Sequence, residues 1–583
     1  MPAPGVLVGA SPIDQLLGDP NDDTNPFSYK HIAELDEREE FPDRMAALLD
    51  EYGLPAQYVP ASHGGGLSQL DTMCDEVRAI ARRDLTLAVA HAKTFLGAVS
   101  VWVGGRPEQA HEVAAAVAAG TVVSWGLTEP GHGSDLLSGE LTATPVEDGF
   151  LLEGTKTLIN NATRADMVCT LARTDPAGGP RGFSLLMIDK RALGEGSFNI
   201  LTKIRTHGIR GADISGIAFH GARVPATALV GGVGEGIAIV LKALQLTRTS
   251  CIALSLGAAD HALSLAHGFA AERVLYGRRL ADLPYIRGRL GTAYAMLFLV
   301  EAVSSLASRS LHTLTAQASI TSSAVKAFVP TTVDDLIGHC GEVLGARAFV
   351  TRIYREGMFQ KVERDHRIVP IFDGSTHVNQ AALMTQFAAL GRGYPAIASE
   401  STNLDAVAVA ADLHRRLPEL DLAALRLVSR DGCALVQSLP AAIEEFRARY
   451  RDGLIPAPLL ADAEALAQVS VDIHEEMARF RPRSHDVPTA AFELARRYDL
   501  CFAGAAALRF WLHNHDHVDP GAPLWQGGLW LTAGLRSVLD RLGADLDNSS
   551  YALFDRLFEA AAAQRDRTPW PSILSDAAAG ADR

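Results

Sequence analysis

The sequence is poor in cysteine and short of basic residues, and it lacks long uninterrupted apolar runs. The six cysteines among 583 residues are scattered without a CxxC pair, which argues against a disulfide scaffold and favours reduced thiols in a cytoplasmic protein. A formal net charge of −15 argues against a general nucleic-acid-binding protein, because such proteins need a basic face. No stretch of about 18 consecutive apolar residues occurs, so we expect no membrane span.

The chain is 48% hydrophobic and too long for one compact core, so we expect about three or four domains. Helical periodicity gives way to strand-like runs near residue 121 and returns near residue 236. The predicted divisions are a loose N-terminus (1–26), an N-terminal helical domain (27–120), a central β-domain (121–232), a helical bundle (233–390), a linker (391–403) and a C-terminal helical extension (404–583).

Short apolar runs separated by Gly, Asp and Pro predict the strands of the central domain. Residues 141–145 and 150–156 flank Glu147, Asp148 and Gly149, a pattern typical of a β-hairpin. Because no long helical pattern interrupts these strands, we expect a small antiparallel β-domain. The remaining chain is mainly α, with predicted helices that include 237–275, 284–316, 319–344, 420–438 and 489–513.

One carboxylate follows an apolar run near the end of the predicted bundle. Asp373 precedes Gly374, which supplies backbone freedom, and Ser375, which can cap a helix predicted over 375–390. A carboxylate beside a helix N-terminus can place a base next to an anion or cofactor site. Taken alone, an Asp-Gly pair is most often simply a turn.

Four motifs in this order resemble those of the acyl-CoA dehydrogenases: WGLTEPGHGSD (125–135), KTLINN (156–161), RVLYGR (273–278) and RDHRIVPIFDGST (364–376). The resemblance covers roughly residues 27–390. It implies an N-terminal helical domain, a central β-domain and a four-helix bundle, here followed by a second helical region. It also implies an FAD-dependent oxidoreductase.

The resemblance places the cofactor against several loops. It implies that Leu127 and Thr128 touch the isoalloxazine, that Arg273 contacts the FAD pyrophosphate of a facing subunit, and that Tyr276 lies near the adenine. A site shared in this way requires a homodimer, with a homotetramer as the alternative. The full set of implied cofactor contacts is Trp125, Leu127, Thr128, Ser134, Leu158, Asn160, Arg273, Tyr276, Glu342, Gly345, Ala346, Ser375 and His377.

The resemblance also places Asp373 at the position of the family's catalytic base. That base removes the α-proton of an acyl-CoA or carrier-protein-bound acyl group while the β-hydride leaves to flavin N5, and electrons then pass to an electron-transfer flavoprotein. Some relatives hold their base at the position of Thr247, beside Arg248, and threonine cannot serve there. The implied substrate contacts are Ser134, Thr247, Arg248 and Gly374.

Several positions depart from the family pattern and leave other functions open. Asp373 is one methylene shorter than the usual Glu, Leu158 stands for a Trp, and Asn160 stands for Thr or Ser. An acyl-CoA oxidase, a flavin monooxygenase and a non-catalytic partner subunit remain alternatives. We expect no metal site, because the histidines of the HNHDH segment (513–517) would not share one face of a helix.

Overall fold

The computed structural model describes residues 11–394, 401–481, 487–544, 550–565, 567–568 and 570–578. Three sequence-based expectations lie partly outside these residues: the start of the loose N-terminus (1–10), part of the linker (395–400) and the end of the extension (579–583). The described residues form helical layers around an eight-stranded β-sheet, which confirms the predicted fold class.

The N-terminal part is helical, and its longest helix is apolar on all sides because it is buried. Six helices are present: α1 Pro12–Leu17, α2 Tyr29–Arg38, α3 Asp43–Tyr52, α4 Leu70–Arg83, α5 Leu85–Gly104 and α6 Pro107–Ala118. Asp84 caps α5, since its side chain accepts a hydrogen bond from the Thr86 amide at 3.2 Å. α5 packs between α4, the β-sheet and the bundle, which explains why its sequence shows no polar stripe.

The central region is an eight-stranded sheet of mixed direction. Its strands are β1 Val123–Gly126, β2 Thr142–Val146, β3 Gly149–Asn160, β4 Met167–Arg173, β5 Phe183–Asp189, β6 Phe198–Leu201, β7 Ile214–Pro225 and β8 Leu229–Val230. The strand order is β6-β7-β3-β2-β4-β5-β8, and the predicted β2–β3 hairpin is present. The sheet is not wholly antiparallel as predicted, because β1 pairs in parallel with β4. The β2–β3 hairpin lies between these two strands in the chain and supplies the long crossover that parallel pairing needs.

The bundle is built from long helices: those predicted over 284–316 and 319–344 are single in the structure, whereas those predicted over 237–275 and 375–390 are each divided in two. Its elements are α7 Gly236–Ser250, α8 Ile252–Glu272, β9 Val274–Leu275, β10 Arg278–Arg279, α9 Pro284–Thr313, α10 Ala318–Leu344, α11 Ala346–Phe349, α12 Met358–His366, α13 Thr376–Met384 and α14 Phe387–Gly393. The predicted helix 237–275 is divided at Cys251, where the Thr249 and Ser250 hydroxyls bond back to carbonyls four residues earlier. Such back-bonding bends helices.

The C-terminal extension shares one apolar core with the bundle. Its helices are α15 Ser401–Ala411, α16 Ala434–Gln437, α17 Leu439–Arg451, α18 Ala457–Arg479, α19 Thr489–Asn514, α20 Leu529–Arg541, α21 Ser550–Arg565 and α22 Ile573–Ala578. α19 packs against α9, α10 and α13. The helix predicted over 420–438 is wrong except at its end, because Gly432 at φ +80° and the Ser429 hydroxyl, which donates to the Gly432 carbonyl at 2.7 Å, form a turn.

Three stretches are long and apolar enough to cross a membrane, judged by length and composition alone: Leu85–Gly104, Gly236–Glu272 and Pro284–Thr313. Within the protein, 72, 83 and 89% of their most apolar windows are buried. Packing in the shared core therefore accounts for their hydropathy.

Candidate active site

The segment that carries Asp373 is anchored by the last turn of α12. There the fully buried Asp365 accepts hydrogen bonds from Lys361 at 2.6 Å, the Thr86 hydroxyl at 2.9 Å and the Ile209 amide at 2.6 Å. Burial opposes ionisation of Asp365, but Lys361 and the amide outweigh it and hold its pKa below the ordinary value. One carboxylate thus joins the bundle, the N-terminal helices and the β-domain.

The two neighbours of Asp365 extend this anchor. Arg364 pairs with Asp36 at 2.6 Å, and the His366 ring lies 2.9 Å from the Ser255 hydroxyl. The RDH part of the last motif therefore fixes where the following loop lies and does not itself reach the site.

Asp373 and Gly374 form a left-handed turn whose carbonyl groups are held by cations. Their φ angles are +55° and +95°. Arg248 Nε donates to the Asp373 carbonyl at 2.8 Å, and Lys326 Nζ donates to the Gly374 carbonyl at 3.3 Å. A Cβ at Gly374 would lie 2.8 Å from Arg248 Nη2, so this position requires glycine for its conformation and for its close contact.

The Asp373 carboxylate is poised for an external partner. Its side chain is only 9% exposed. Oδ1 lies 3.5 Å from Lys93 Nζ, whereas Oδ2 is buried and has no hydrogen-bond partner among the described residues. Because an unpaired buried carboxylate oxygen is unfavourable, Oδ2 is suited to accept a hydrogen bond from a bound group.

An apolar cavity lies next to this carboxylate, between α4, α5 and α8. Protein atoms leave about 400 Å³ unfilled here, but this volume includes open solvent, and the part wide enough for a water-sized molecule is small. Lys93 and Phe372 line the part nearest Asp373, and the remaining lining includes Met73, Val77, Val89, Phe95, Leu96 and Leu254. The apolar lining suits a hydrocarbon chain.

The loop after β1 is held in place by a buried ion pair. Lys156 Nζ lies 2.6 Å from Glu129 Oε1 and donates to the Leu127 carbonyl at 3.1 Å, while the Thr157 amide donates to the Thr128 carbonyl at 2.9 Å. Burial opposes the charge on Glu129, but Lys156 outweighs it and holds the Glu129 pKa below its ordinary value. The pair fixes the backbone on which Leu127 and Thr128 are presented.

Two buried polar atoms beside this loop lack partners. Trp125 Nε1 and Asn160 Oδ1 have no hydrogen bond among the described residues. Asn160 Nδ2 donates to the Val89 carbonyl at 3.4 Å, which links β3 to the helix that lines the cavity. Leu158, two residues before Asn160 in β3, has φ +55° at a β-bulge, and its side chain is 56% exposed. A non-glycine residue in this conformation with an exposed apolar side chain is typical of a binding surface.

Only some of the residues predicted to contact the substrate lie at the Asp373 turn. Arg248 and Gly374 lie in contact with the Asp373 turn. Thr247 is fully buried, and its hydroxyl donates to the Leu244 carbonyl of its own helix at 3.5 Å. Ser134 is exposed on the loop after β1.

A second group of predicted cofactor contacts lies away from the turn. Arg273 and Tyr276 are exposed on the β9–β10 hairpin, and Tyr276 is 91% exposed at φ +53°. Glu342 pairs with Arg289 at 2.7 Å, and Gly345, at φ +56°, precedes Ala346 at the start of α11. Within the described chain no hydrogen bond or ion pair joins any of these residues to Asp373.

Ser375 and His377 connect the turn to α13. The Ser375 hydroxyl accepts a hydrogen bond from the Val378 amide at 3.4 Å, which confirms the predicted cap. The His377 ring lies edge-on to Phe492 of α19, with ring centroids 5.8 Å apart. The helix that follows the carboxylate is therefore in contact with the C-terminal extension.

Sequence reasoning missed Lys93, Lys326 and Asn379. Lys326 also donates to the Val369 carbonyl at 2.7 Å, and Asn379 Nδ2 donates to the Gly374 carbonyl at 2.8 Å. The available signal was a single lysine within an otherwise apolar part of α5 and of α10, because a buried lysine needs a specific partner.

Comparison with known proteins agrees with this geometry. The family description "acyl-CoA dehydrogenase, middle domain" matches residues 124–222, and "acyl-CoA dehydrogenase, C-terminal domain" matches residues 234–387. An acyl-CoA dehydrogenase of Bacillus subtilis is 30% identical over 261 residues, covering 44% of this chain and 68% of that protein. A probable acyl-CoA dehydrogenase of Mycobacterium tuberculosis, FadE25, is 26% identical over 358 residues, covering 60% of this chain and 89% of that protein.

The C-terminal extension also has a counterpart among solved structures. The acyl-CoA dehydrogenase of Bacillus anthracis, solved with FAD, is 18% identical and superposes with a TM-score of 0.68 over 96% of this chain and 95% of its own. The chain belongs to the acyl-CoA dehydrogenase family, whose members are flavin oxidoreductases that act on CH–CH groups.

The described residues fit the FAD that this family binds. The unpaired Trp125 Nε1 and Asn160 Oδ1 offer one donor and one acceptor, and the exposed Leu158, two residues before Asn160, offers an apolar surface. The exposed Arg273 guanidinium matches a phosphate.

Proposed function

We propose that this protein oxidises an acyl thioester to its α,β-unsaturated form, with Asp373 as the base that removes the α-proton. The carrying observation is the buried, unpartnered Asp373 Oδ2 beside an apolar cavity. When bound, FAD supplies the acceptor for the hydride that leaves the β-carbon. The acyl group is carried by CoA or by a carrier protein.

In this proposal the cavity binds the acyl chain and Asp373 accepts the α-proton. The acyl chain lies between α4, α5 and α8, where the apolar lining excludes water from the reacting carbons. Asp373 Oδ2 then needs to lie within hydrogen-bond reach of the α-proton. Because Arg248 and Lys326 hold the backbone of the turn, the carboxylate has little freedom to move away.

The α-proton of a thioester is weakly acidic, so the carbonyl must be polarised during its removal. The Asp373 amide has no acceptor assigned within the described chain. This N–H is available to the thioester oxygen and supports the proposed role of the turn. Ser134, Thr128 and Leu127 would bound the thioester and flavin on the other side.

The exposed β9–β10 hairpin supports assembly as a homodimer. Val274, Leu275 and Tyr276 are large apolar side chains that are 55, 37 and 91% exposed, and such a patch indicates an interaction surface. Arg273 beside them would reach the FAD of the facing subunit. We further propose an electron-transfer flavoprotein as the acceptor of the electrons.

The direct test is anaerobic reduction of the bound flavin by a panel of acyl-CoA thioesters that differ in chain length. We expect loss of the flavin absorbance near 450 nm with at least one saturated thioester and formation of the matching enoyl-CoA. Bound FAD that no member of the panel reduces would refute the proposal.

A further inference from the structure

Three cations surround the Asp373 turn, and two of them are occupied by the backbone. Arg248 donates to the Asp373 carbonyl, and Lys326 donates to the carbonyls of Val369 and Gly374. Lys93 differs, because its ammonium lies 3.5 Å from Asp373 Oδ1 and 4.4 Å from the centre of the Phe372 ring. It is the one of the three that lines the cavity.

The charges at this place do not balance. Lys93, Arg248 and Lys326 face a single acidic side chain, Asp373, and no acidic residue is among the described residues that line the cavity. Burial raises the pKa of the Cys251 thiol to about 11, so this neighbour stays neutral. Burial lowers the pKa values of Arg248 and Lys326, and Asp373 is the acidic side chain that all three basic groups share.

The reaction makes this imbalance larger. Asp373 Oδ2 takes the α-proton and the carboxylate becomes neutral, so Lys93 loses the only acidic partner that it has among the described residues. The Lys93 side chain is 17% exposed, and a largely buried ammonium without a partner is unfavourable. An unsubstituted alkyl chain in the cavity has no group that could pair with the Lys93 ammonium.

We propose that Lys93 binds a second acid group of the substrate, so that the preferred substrate is the monothioester of a short dicarboxylic acid. Lys93 is then a specificity-determining residue. The carboxylate must lie within a few carbons of the α-carbon, because Lys93 is close to the base and hydrogen bonds span about 3 Å. No bond to this carboxylate forms or breaks.

The inference rests on the proposed dehydrogenation, and matched substrates separate the two. Succinyl-, glutaryl- and adipyl-CoA are compared with butyryl-, pentanoyl- and hexanoyl-CoA by the rate of anaerobic flavin reduction. We expect the wild type to favour at least one acidic thioester over its neutral partner by tenfold or more. In Lys93→Met this preference should fall at least tenfold, since a hydrogen bond between charged groups is lost.

Two further variants serve as controls. Lys93→Arg keeps the charge and should retain the preference for the acidic thioester. Lys326→Met removes a cation that does not line the cavity, so it should slow both substrates and leave their ratio unchanged. A wild type that favours the neutral thioesters, or a Lys93→Met enzyme with an unchanged ratio, overturns the inference while the dehydrogenase function stands.

Binding gives a readout that does not depend on turnover. Calorimetry with non-oxidisable CoA thioethers that carry a 4-carboxybutyl or a pentyl group should show tighter binding of the acid, and Lys93→Met should remove the difference. Equal binding of the two thioethers by the wild type contradicts the role of Lys93 even if flavin reduction is observed.

Discussion

At the scale of single residues, the site depends on a carboxylate whose surroundings come from distant parts of the chain. Asp373 and Gly374 form a local pattern in the sequence, a carboxylate before a glycine and a helix cap, but it was the resemblance to the family that singled out Asp373 as a base. Lys93 could not, since it lies 280 residues from Asp373 in the chain and only folding brings the two together. The resemblance did single out Arg248 as a substrate contact, but its hydrogen bond to the Asp373 carbonyl, 125 residues away in the chain, could not be predicted.

The Asp373→Glu variant tests whether the site is fitted to the shorter aspartate side chain. Glu at position 373 would carry the family's usual residue, but its carboxylate extends roughly 1 Å further, a shift that can matter greatly for proton transfer. With Lys93 3.5 Å from Oδ1, and with Glu less favourable than Asp at positive φ, we expect Asp373→Glu to reduce flavin more slowly. Faster reduction by Asp373→Glu with a simple acyl-CoA would show that aspartate is only a poor substitute.

At the scale of elements, α12 and α13 place the turn and the extension packs against it. The RDH motif was recognised by resemblance, yet its role as an anchor depends on Thr86 and Ile209, which no sequence pattern connects to Asp365. The helix predicted over 420–438 failed because periodicity did not reveal the turn at Gly432. Ser375 was predicted correctly because capping is local.

A buried acid joins α19 to α13 and gives a pH prediction. Asp499 is 3% exposed, and burial raises its pKa well above the ordinary value against an opposing hydrogen bond from Gln380. The folded state therefore holds this proton more tightly than the unfolded state. Its contribution to stability is full below the ordinary aspartate pKa and is lost as pH rises towards the raised value.

Asp499→Asn cannot ionise, so it should gain stability relative to the wild type as pH rises. Within the window between the two pKa values, the difference in unfolding free energy should grow by about 1.4 kcal/mol per pH unit. Denaturant titrations between pH 4 and pH 8 measure it, with the exposed Asp540→Asn as the control that should show no such trend. A constant difference across this range would contradict a neutral, buried Asp499.

At the scale of the whole molecule, the order of helical region, sheet and bundle followed from changes in periodicity. The packing of the C-terminal extension could not be predicted in this way. Its apolar helix faces cannot be distinguished in the sequence from those of the bundle, with which it shares a core. The parallel β1–β4 pair was missed for a similar reason, since strand direction depends on the path of the whole chain. The β9–β10 hairpin is exposed along its whole length in the single chain.

Assembly and cofactor binding should therefore be coupled. Arg273→Ala removes a charge-assisted phosphate contact and should weaken FAD binding by about 1.5–3 kcal/mol, measured by fluorescence titration of the apoprotein. Arg279→Ala is the matched control, because that guanidinium already pairs with Asp282 at 3.1 Å. Light scattering should show a dimer, and a monomer with full flavin content would contradict a shared site.

The central claim is that Asp373 removes the α-proton, and anaerobic single-turnover reduction of the flavin in Asp373→Asn tests it most directly. Asparagine keeps the size of the side chain and most of its hydrogen bonding but cannot act as a base, and a positioned base contributes roughly 10²–10⁴-fold. We predict that the variant binds FAD normally and that its flavin is reduced at least about 100-fold more slowly by the thioester that serves the wild type best. Reduction at the wild-type rate would show that Asp373 is not the base.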